Sequence, residues 1–399
     1  MKFQYSSIFS FGLYYLFFAF MLGSILSNDG NSVFYIMAVP FILMGASFAG
    51  LRLIARGSIR VGVLLFFLLV GGFLFFYPVE KANLYIRIFT VEMLLLVYFF
   101  SEIKIDLSRF TKFLNTTYVF YFLFSVAIWS GVLPANTSIE KNTFLINVGG
   151  FNFETLYGLG GSTADIDSYS GLVLIWNVFV NKVKRSSYGM IALSSLAMLM
   201  TFRMTPIVAL VLSFLIYFVV VNRVLAFLAI ILPALGFVSA LLALNYSPTF
   251  IVPFVGHNMD WYTLMWKATH ARSSIWLGQI HYFINEFTFS DYIFGSLDER
   301  MTVDFVDGDG RVHKDSYNPH NTYLSLLFRS SLFFSLFYIL FVAAVARRSR
   351  KVTFPVVFYI SIVAYTNASV LGLQNPMYLL VLLYVLFGMP REKFNARLE

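Results

Sequence analysis

One long polar segment interrupts a chain that otherwise consists almost entirely of apolar runs. The segment extends from Asn245 to Phe328 and contains all five histidines of the chain. A helix needs about 20 apolar residues to span a bilayer, and apolar runs of that kind follow one another on both sides of the segment. The sequence therefore predicts a membrane scaffold that holds one large loop at one face of the bilayer.

The charge content agrees with this class of protein. Only 12% of the 399 residues are charged, whereas a soluble domain carries about a quarter. The net charge of +8 would suggest nucleic acid in a soluble protein, but most of the basic residues lie in short loops between apolar runs, where they set membrane topology. We therefore expect no nucleic-acid partner. Cysteine is absent, which excludes disulfides and Cys-ligated metals.

The apolar runs predict an all-α integral membrane protein with about 12 transmembrane helices and a large periplasmic loop. The candidate spans are 7–27, 32–51, 61–77, 84–101, 113–133, 165–181, 188–202, 204–221, 224–244, 321–346, 353–371 and 375–390. The first run is too long for a signal-peptide core and lacks a cleavage site, so we expect a retained helix. The segment Thr201–Pro206 is either a tight turn or a break inside one longer helix.

Basic residues predict the orientation of these spans. They cluster in alternate loops, which puts both termini in the cytoplasm and the large loop outside; in a bacterium this is the periplasmic side of the inner membrane. We divide the chain into three parts accordingly. They are an N-terminal transmembrane bundle of about nine helices over 1–244, the periplasmic loop over 245–320, and the C-terminal transmembrane helices with a short cytoplasmic tail over 321–399.

Two outer loops are long enough to carry function. The first, at 134–164, contains two glycine pairs that either permit close approach of the backbone to a ligand or make a flexible connector. The large loop contains apolar residues at helical spacing over 261–284, which predict an interfacial helix. Residues 302–313 predict a small hairpin that turns at Asp-Gly pairs. Neither loop matches a P-loop or an EF-hand.

Four charged residues in or beside the spans are functional candidates, because charge at membrane depth is costly. Arg203 lies at the outer end of its predicted span, and Arg87 and Glu92 share another. Arg329 lies nine residues after His320, about 13 Å deeper if one helix continues through both. For Arg329, Arg87 and Glu92 the alternative is structural ion pairing inside the bundle.

Arg272 and His320 lie in or at the end of the long loop. Arginine offers a planar, permanently charged fork that suits phosphate, and Asn318 and Asn321 beside His320 add hydrogen-bonding groups. The histidines lack the spacing of a zinc site, and no nucleophile elbow of a serine hydrolase occurs. We therefore expect neither a metal nor a cofactor.

Three segments together resemble the O-antigen polymerase and O-antigen ligase superfamily. Thr201–Thr205 (Thr-Phe-Arg-Met-Thr) is similar to the family's Ser-Arg-small segment, with Phe202 where serine is common. Ala271–Trp276, followed by Asp291–Gly295, resembles the arginine-tryptophan-then-glycine pattern of the family's periplasmic loop. His320–Leu324 (His-Asn-Thr-Tyr-Leu) resembles its His-Asn-x-Tyr-Leu signature.

The resemblance implies metal-independent glycosyl transfer on the periplasmic face. The donor would be an oligosaccharide linked to undecaprenyl pyrophosphate, whose leaving group requires fixed positive charge. Arg203 and Arg272 would clamp the pyrophosphate, and His320 would be either a general base or a phosphate ligand. The catalytic candidates are thus His320, Arg272 and Arg203. The candidate substrate-binding residues are Asn321, Tyr317, Asn318, Arg329, Arg87, Glu92 and Trp276.

The acceptor separates two activities in this superfamily. A polymerase extends another lipid-linked repeat unit of a surface polysaccharide, whereas a ligase transfers the polymer to lipid A core; we favour the polymerase. The expected partners are the lipid-linked oligosaccharide, the bilayer, and a chain-length regulator and a flippase of the same pathway. An alternative of another class is a lipid-linked sugar flippase or transporter, which would show internal repeats and a charged path through the midplane.

Overall fold

The structure is a computed structural model. It describes residues 106–133, 145–148, 150–159, 163–181, 187–254, 257–269, 272–294, 302–306, 312–316, 321–329, 332–366 and 377–388. Four of the predicted spans, 7–27, 32–51, 61–77 and 84–101, lie outside these residues.

The described part of the chain is mostly helical, which agrees with the predicted all-α class. The helices are α1 Leu107–Trp129, α2 Thr163–Ile175, α3 Tyr188–Thr201, α4 Met204–Val219, α5 Arg223–Tyr246, α6 Trp261–Ala268, α7 Arg272–Asn285, α8 Phe289–Phe294, α9 Thr322–Arg329, α10 Leu332–Arg348, α11 Phe354–Val363 and α12 Met377–Leu383. Two π-helical turns, Trp176–Val180 and Tyr384–Gly388, continue α2 and α12.

Three two-stranded antiparallel hairpins lie in the connections. They pair β1 Leu145–Val148 with β2 Phe151–Glu154, β3 Ile251–Phe254 with β4 His257–Asp260, and β5 Thr302–Val306 with β6 Val312–Ser316. The last pair, with Val306 opposite Val312, confirms the predicted hairpin of the large loop. The other two were not predicted, although two residues separate the strands of each, a spacing typical of hairpins.

One helix within the described ranges is long and apolar enough to cross a membrane by length and composition, namely α5, with a mean hydropathy of 2.6. Helices α3, α4, α11 and the last helix, continued by its π turn, are apolar but shorter. They fall on predicted spans, and their bounds differ from the predicted ones by a few residues to about ten. The twelve-span architecture itself stays a prediction.

The predicted span 321–346 is not one straight helix. The Ser335 hydroxyl donates to the Tyr323 carbonyl at 3.3 Å, and the rings of Tyr323 and Tyr338 lie 5.8 Å apart. Twelve residues of continuous helix would separate Ser335 from Tyr323 by about 18 Å, so α9 and α10 fold against each other. The prediction of a single helix was wrong, and with it the depth assigned to Arg329.

Helix α11 is the buried centre of the described part. Its residues from Phe354 to Ile360 are all buried, and it packs on α2, α4, α5 and α10. The Tyr359 hydroxyl donates to the Ser168 carbonyl of α2 at 3.0 Å. Its ring lies over Gly171, where an added Cβ would collide with it. Glycine at this position therefore allows α2 and α11 to approach closely.

Polar pairs hold α1 against α2. Tyr118 and Ser170 share a hydrogen bond of 2.7 Å between their hydroxyls, and the amide groups of Asn115 and Asn177 bond to each other in both directions. Each of these side chains is partly or fully buried. Buried polar groups need such partners, and hydrogen bonds of this kind are also common between helices in bilayers.

Part of the first outer loop is packed rather than free. Residues 155–159 are buried, and the Leu156 amide donates to the Met200 carbonyl at the end of α3 at 3.0 Å. A Cβ at Gly158 would collide with the Tyr121 hydroxyl. Close packing against Tyr121 therefore explains why residue 158 is a glycine. Residues 155–159 are packed and do not form a flexible connector.

Candidate functional site

Arg203 lies in a tight turn between α3 and α4. Phe202 adopts the left-handed conformation, with φ of 52°, and ends α3 in the way that a glycine often does. Arg203 follows with extended backbone at the N-cap position of α4. The predicted alternative of a turn at Thr201–Pro206 is thus confirmed, and it places a guanidinium group beside a helix N-terminus.

Asp167 of α2 is the acidic partner of Arg203. Its Oδ2 lies 3.6 Å from Arg203 Nε, and the Asp167 side chain is 2% exposed whereas that of Arg203 is 23% exposed. Oδ1 accepts a hydrogen bond of 2.9 Å from the Ser168 hydroxyl. Oδ2 has no hydrogen-bond partner among the described residues. The carboxylate therefore sits behind Arg203, on the buried side of the guanidinium group.

Arg272 is the first residue of α7 and reaches the end of α11. Its Nη1 donates to the Thr366 carbonyl at 3.1 Å. The two preceding carbonyls have donors as well: Asn321 Nδ2 bonds to Tyr365 at 3.0 Å, and the Thr322 amide bonds to Ala364 at 2.8 Å. These three carbonyls belong to the turn that follows α11, so Arg272 and the start of α9 together hold the turn at the C-terminal end of α11.

The three charged groups share one electrostatic environment. Burial lowers the pKa of the Arg272 guanidinium below its usual value, and the positive charge of Arg203 lowers it further, whereas the negative charge of Asp167 raises it. Arg203 and Arg272 come from connections 69 residues apart in the sequence. The fold thus brings the two cations close enough for their charges to interact, near the buried side chain of Asp167, although like charges repel.

Both arginines stand at the positive ends of helices. The N-terminus of a helix carries a partial positive charge, and a cation there is disfavoured by about 0.3–1 kcal/mol. Next to Arg272, the hydroxyl of Ser273 is completely buried and has no hydrogen-bond partner within the described ranges. Helix N-termini of this kind are common binding sites for phosphate and other anions.

Asn321 has a structural position in this arrangement. Its Oδ1 accepts from the Leu324 amide at 3.0 Å, and its Nδ2 donates to the Tyr365 carbonyl. The side chain is therefore the N-cap of α9 as well as part of the cap of α11. Its amide group joins α9 to the turn after α11, and its role in substrate binding stays a prediction.

Trp276 does not offer a face to a sugar in this structure. The residue is 4% exposed, and its ring packs edge-to-face against Phe237 with centroids 5.3 Å apart. Stacking on a ligand needs an open ring face. The ring belongs to a small hydrophobic cluster that also contains Leu241, Ile280, Phe287 and Leu324, and substrate binding by Trp276 stays a prediction.

The remaining candidates lie wholly or partly outside the described residues. The structure describes the backbone of Arg329, the last residue of α9, but not the position of its side chain. The other predicted site residues outside the described ranges are His320, Tyr317, Asn318, Arg87 and Glu92. Of the catalytic candidates, the structure therefore brings together Arg203 and Arg272.

Asp167 was missed from the sequence, although a signal for it was present. It lies inside the predicted span 165–181, where an ionisable residue is a functional candidate by default. What the sequence does not contain is its partner, since Arg203 lies on a different helix. Groups of three or more potential metal ligands do not occur in the part of the chain that the structure describes.

Comparison with known proteins adds no relative. No family model matches the chain, and neither a curated protein nor a solved structure matches it.

Proposed function

We propose that this protein is a membrane glycosyltransferase that polymerises repeat units of O-antigen or a related surface polysaccharide on the periplasmic face of the inner membrane. It transfers the glycan from undecaprenyl pyrophosphate to a sugar hydroxyl of another lipid-linked repeat unit. The observation that carries the proposal is that Arg203 and Arg272, each at a helix N-terminus, lie close enough for their charges to interact with each other and with the buried side chain of Asp167, which contacts Arg203.

This arrangement suits a pyrophosphate better than any neutral ligand. Two guanidinium groups repel each other, and the positive helix ends disfavour both. A bound pyrophosphate removes these conflicts, since arginine binds phosphate oxygens with two parallel N–H bonds and helix N-termini add backbone donors.

Exposed apolar side chains support a membrane setting. They run along α3, α4 and α5, and so many exposed large apolar side chains on neighbouring segments are unusual on a soluble protein. The exposed large side chains on these helices and the turns between them are Tyr188, Leu196, Leu199, Phe202, Met204, Val208, Val211, Leu212, Leu215, Phe218, Val219, Val221, Val224, Leu225, Leu228, Leu232, Leu235, Val238, Leu242 and Tyr246.

The two ends of α4 support the proposed orientation. Arg203 precedes its first residue, at the end assigned to the periplasm. Near its last turn, Lys351 Nζ lies 5.1 Å from the centroid of the Tyr217 ring. Lys351 belongs to a basic cluster that the charge pattern assigns to the cytoplasm. The proposed site and this cluster therefore lie near opposite ends of one helix, about 21 Å apart at 1.5 Å per residue.

The chemistry follows from the leaving group. The acceptor hydroxyl oxygen forms a bond to the anomeric carbon of the donor while the bond from that carbon to the pyrophosphate oxygen breaks. Negative charge develops on the departing pyrophosphate, where Arg203 and Arg272 stabilise it. The hydroxyl proton passes to a base. His320, next to Asn321 in the sequence, is the candidate for that base, or for a further phosphate ligand.

Reconstitution tests the proposal. Purified protein in liposomes, supplied with an undecaprenyl-pyrophosphate-linked repeat unit, should give a ladder of polymers. Arg272→Ala and His320→Ala should each abolish the ladder while the protein remains in the membrane. Arg223→Ala is the matched control, because Arg223 also begins a helix but is exposed; it should retain the ladder. Wild-type ladders from both site variants would contradict the proposal.

Deletion of the gene in its host separates this activity from its neighbours. A polymerase defect leaves single repeat units on lipid A core. Polymer that accumulates on undecaprenyl pyrophosphate would instead show a ligase. Repeat units retained on the cytoplasmic leaflet would show a flippase, and either of the last two results would overturn the proposal.

A further inference from the structure

Asp167 lies beside Arg203 but has no role in the reaction proposed above. Its carboxylate is almost completely buried, lies 3.6 Å from Arg203 Nε, and has one oxygen without a hydrogen bond among the described residues. A buried carboxylate is costly unless a charged partner compensates it. The position of this side chain is therefore tied to that of Arg203, which lies between it and the exposed side of the site.

Resting on the function proposed above, we propose that Asp167 is a positioning residue that holds Arg203 in the orientation needed to bind the pyrophosphate leaving group. The carboxylate contacts Nε, on the inner edge of the guanidinium group. Arginine has five N–H donors arranged as a fixed fork, and a contact at Nε directs the fork as a whole. Asp167 does not touch the substrate; it acts through Arg203.

The charge balance of the site supports this role. Arg203 and Arg272 repel each other, and Asp167 acts on Arg272 in the opposite sense to Arg203. Asp167, which contacts Arg203, thus partly offsets the repulsion between the two guanidinium groups. A pre-organised pair of cations stabilises the developing charge without rearrangement during the reaction.

The backbone around Asp167 is held rigidly. Ser168, the next residue, donates its hydroxyl to Asp167 Oδ1 and accepts at its carbonyl from the Tyr359 hydroxyl of α11. A positioning residue needs such support, because a loosely held carboxylate orients nothing. Helix α11 thereby links the carboxylate behind Arg203 to the carbonyl that Arg272 caps.

A double-mutant cycle between Asp167→Asn and Arg203→Lys tests the proposal. Lysine keeps the positive charge but lacks the fork. Initial rates of polymer formation by reconstituted protein give the turnover number and the KM for the lipid-linked donor. For Asp167→Asn we expect the turnover number per folded molecule to fall by about tenfold, with KM changed by less than about threefold, because both cations remain but one is misaligned.

The cycle then shows whether Asp167 acts through Arg203. Arg203→Lys should itself be impaired, and Asp167→Asn should lower its turnover by no more than about twofold further, since no fork remains to be oriented. Full additivity of the two substitutions would overturn the proposal. An unchanged turnover number in Asp167→Asn would also overturn it, because a purely structural role lowers only the amount of folded protein.

Asp165→Asn is the control for charge. It removes the same charge from the same helix two residues earlier. Equal coupling of Asp165 and Asp167 to Arg203 would show a general charge effect and would overturn the assignment of the contact. Coupling specific to Asp167 supports it.

Inorganic pyrophosphate separates a failure of this inference from a failure of the proposed function. Its dissociation constant for the wild-type protein in detergent is measurable without any transfer. A wild-type protein that neither binds pyrophosphate nor forms polymer contradicts the proposed function and, with it, the role of Asp167. A wild-type protein that does both, combined with an uncoupled Asp167, overturns the positioning role alone.

Discussion

Arg203 and Arg272 are the same residue type in the same electrostatic neighbourhood, yet the structure holds them in different ways. Arg203 is paired with a buried carboxylate through an ion pair of 3.6 Å. Arg272 donates a hydrogen bond to a neutral carbonyl at the end of α11. Both also stand at helix N-termini, where a positive charge is unfavourable.

The difference concerns what each arginine leaves behind when it is removed. Loss of Arg203 leaves a buried carboxyl group without its cationic partner. Loss of Arg272 leaves one carbonyl without a donor at a partly buried helix end. The energetic penalty for an unpaired buried charge exceeds that for an unpaired carbonyl. Substitutions of Arg203 and of Arg272 should therefore lower the stability of the protein by different amounts. Different further substitutions should restore that stability.

Arg203→Gln should give the largest loss of stability. We expect the free energy of unfolding to fall by about 3 kcal/mol, at the low end for a broken buried pair because Arg203 is itself partly exposed. Arg203→Gln combined with Asp167→Asn should recover most of the loss, since the buried charge is then gone as well. Chemical unfolding in detergent measures both. If Arg203→Gln alone were as stable as the wild type, the ion pair with Asp167 would not contribute to stability, and the contrast with Arg272 would be wrong.

Gly171→Ala tests the packing of α2, which carries Asp167, against α11, whose end contacts Arg272. The new methyl group would meet the Tyr359 hydroxyl, and overpacking of this kind costs about 1–3 kcal/mol. We expect a loss of about 2 kcal/mol and a reduced polymerisation rate, because α2 carries Asp167. The control is Gly236→Ala in α5, where nothing lies within 4 Å of the added Cβ; it should be neutral or slightly stabilising. Equal losses in both variants would contradict the packing argument.

Arg272→Ala should give the smallest loss of stability and still abolish polymer formation. Removal of the donor to the Thr366 carbonyl should lower the free energy of unfolding by about 1 kcal/mol. Arg272→Lys should restore stability, because an ammonium group can donate to a carbonyl, but not activity, because it lacks the fork. Comparison of unfolding curves with polymer ladders separates the two effects. Restored activity in Arg272→Lys would contradict the claim that pyrophosphate binding needs the guanidinium fork while the hydrogen bond to the Thr366 carbonyl does not.

Local patterns predicted several elements well. The bounds of α3, α4 and α5 follow the apolar runs to within a few residues, and the β5–β6 hairpin follows from alternation around Asp-Gly turn residues. These features depend on side chains close together in the sequence, which is why periodicity and turn chemistry reveal them. The glycine pair between β1 and β2 carried the same kind of signal for a hairpin, which we overlooked.

Features that depend on distant residues were not predictable in the same way. The fold of α9 against α10 is invisible to hydropathy, because both helices are apolar and the run of residues is long enough for one span. Trp276 and Asn321 stand in motifs that suggested ligand contact, but packing partners on other helices occupy them. The contacts of such a side chain depend on which helices pack beside it, and the sequence does not show that.

The sequence by itself determined that this is an apolar, mostly helical chain with arginines at the boundaries between its runs and its polar loops, since hydropathy and charge are local properties. Only the tertiary structure decided that Arg203 meets Asp167, that Arg272 caps a helix end 94 residues further along the chain, and that both arginines face one another's charge. The physical reason is that a buried charge takes its partner from whichever helix packs beside it, and that choice is made by the fit of whole helices.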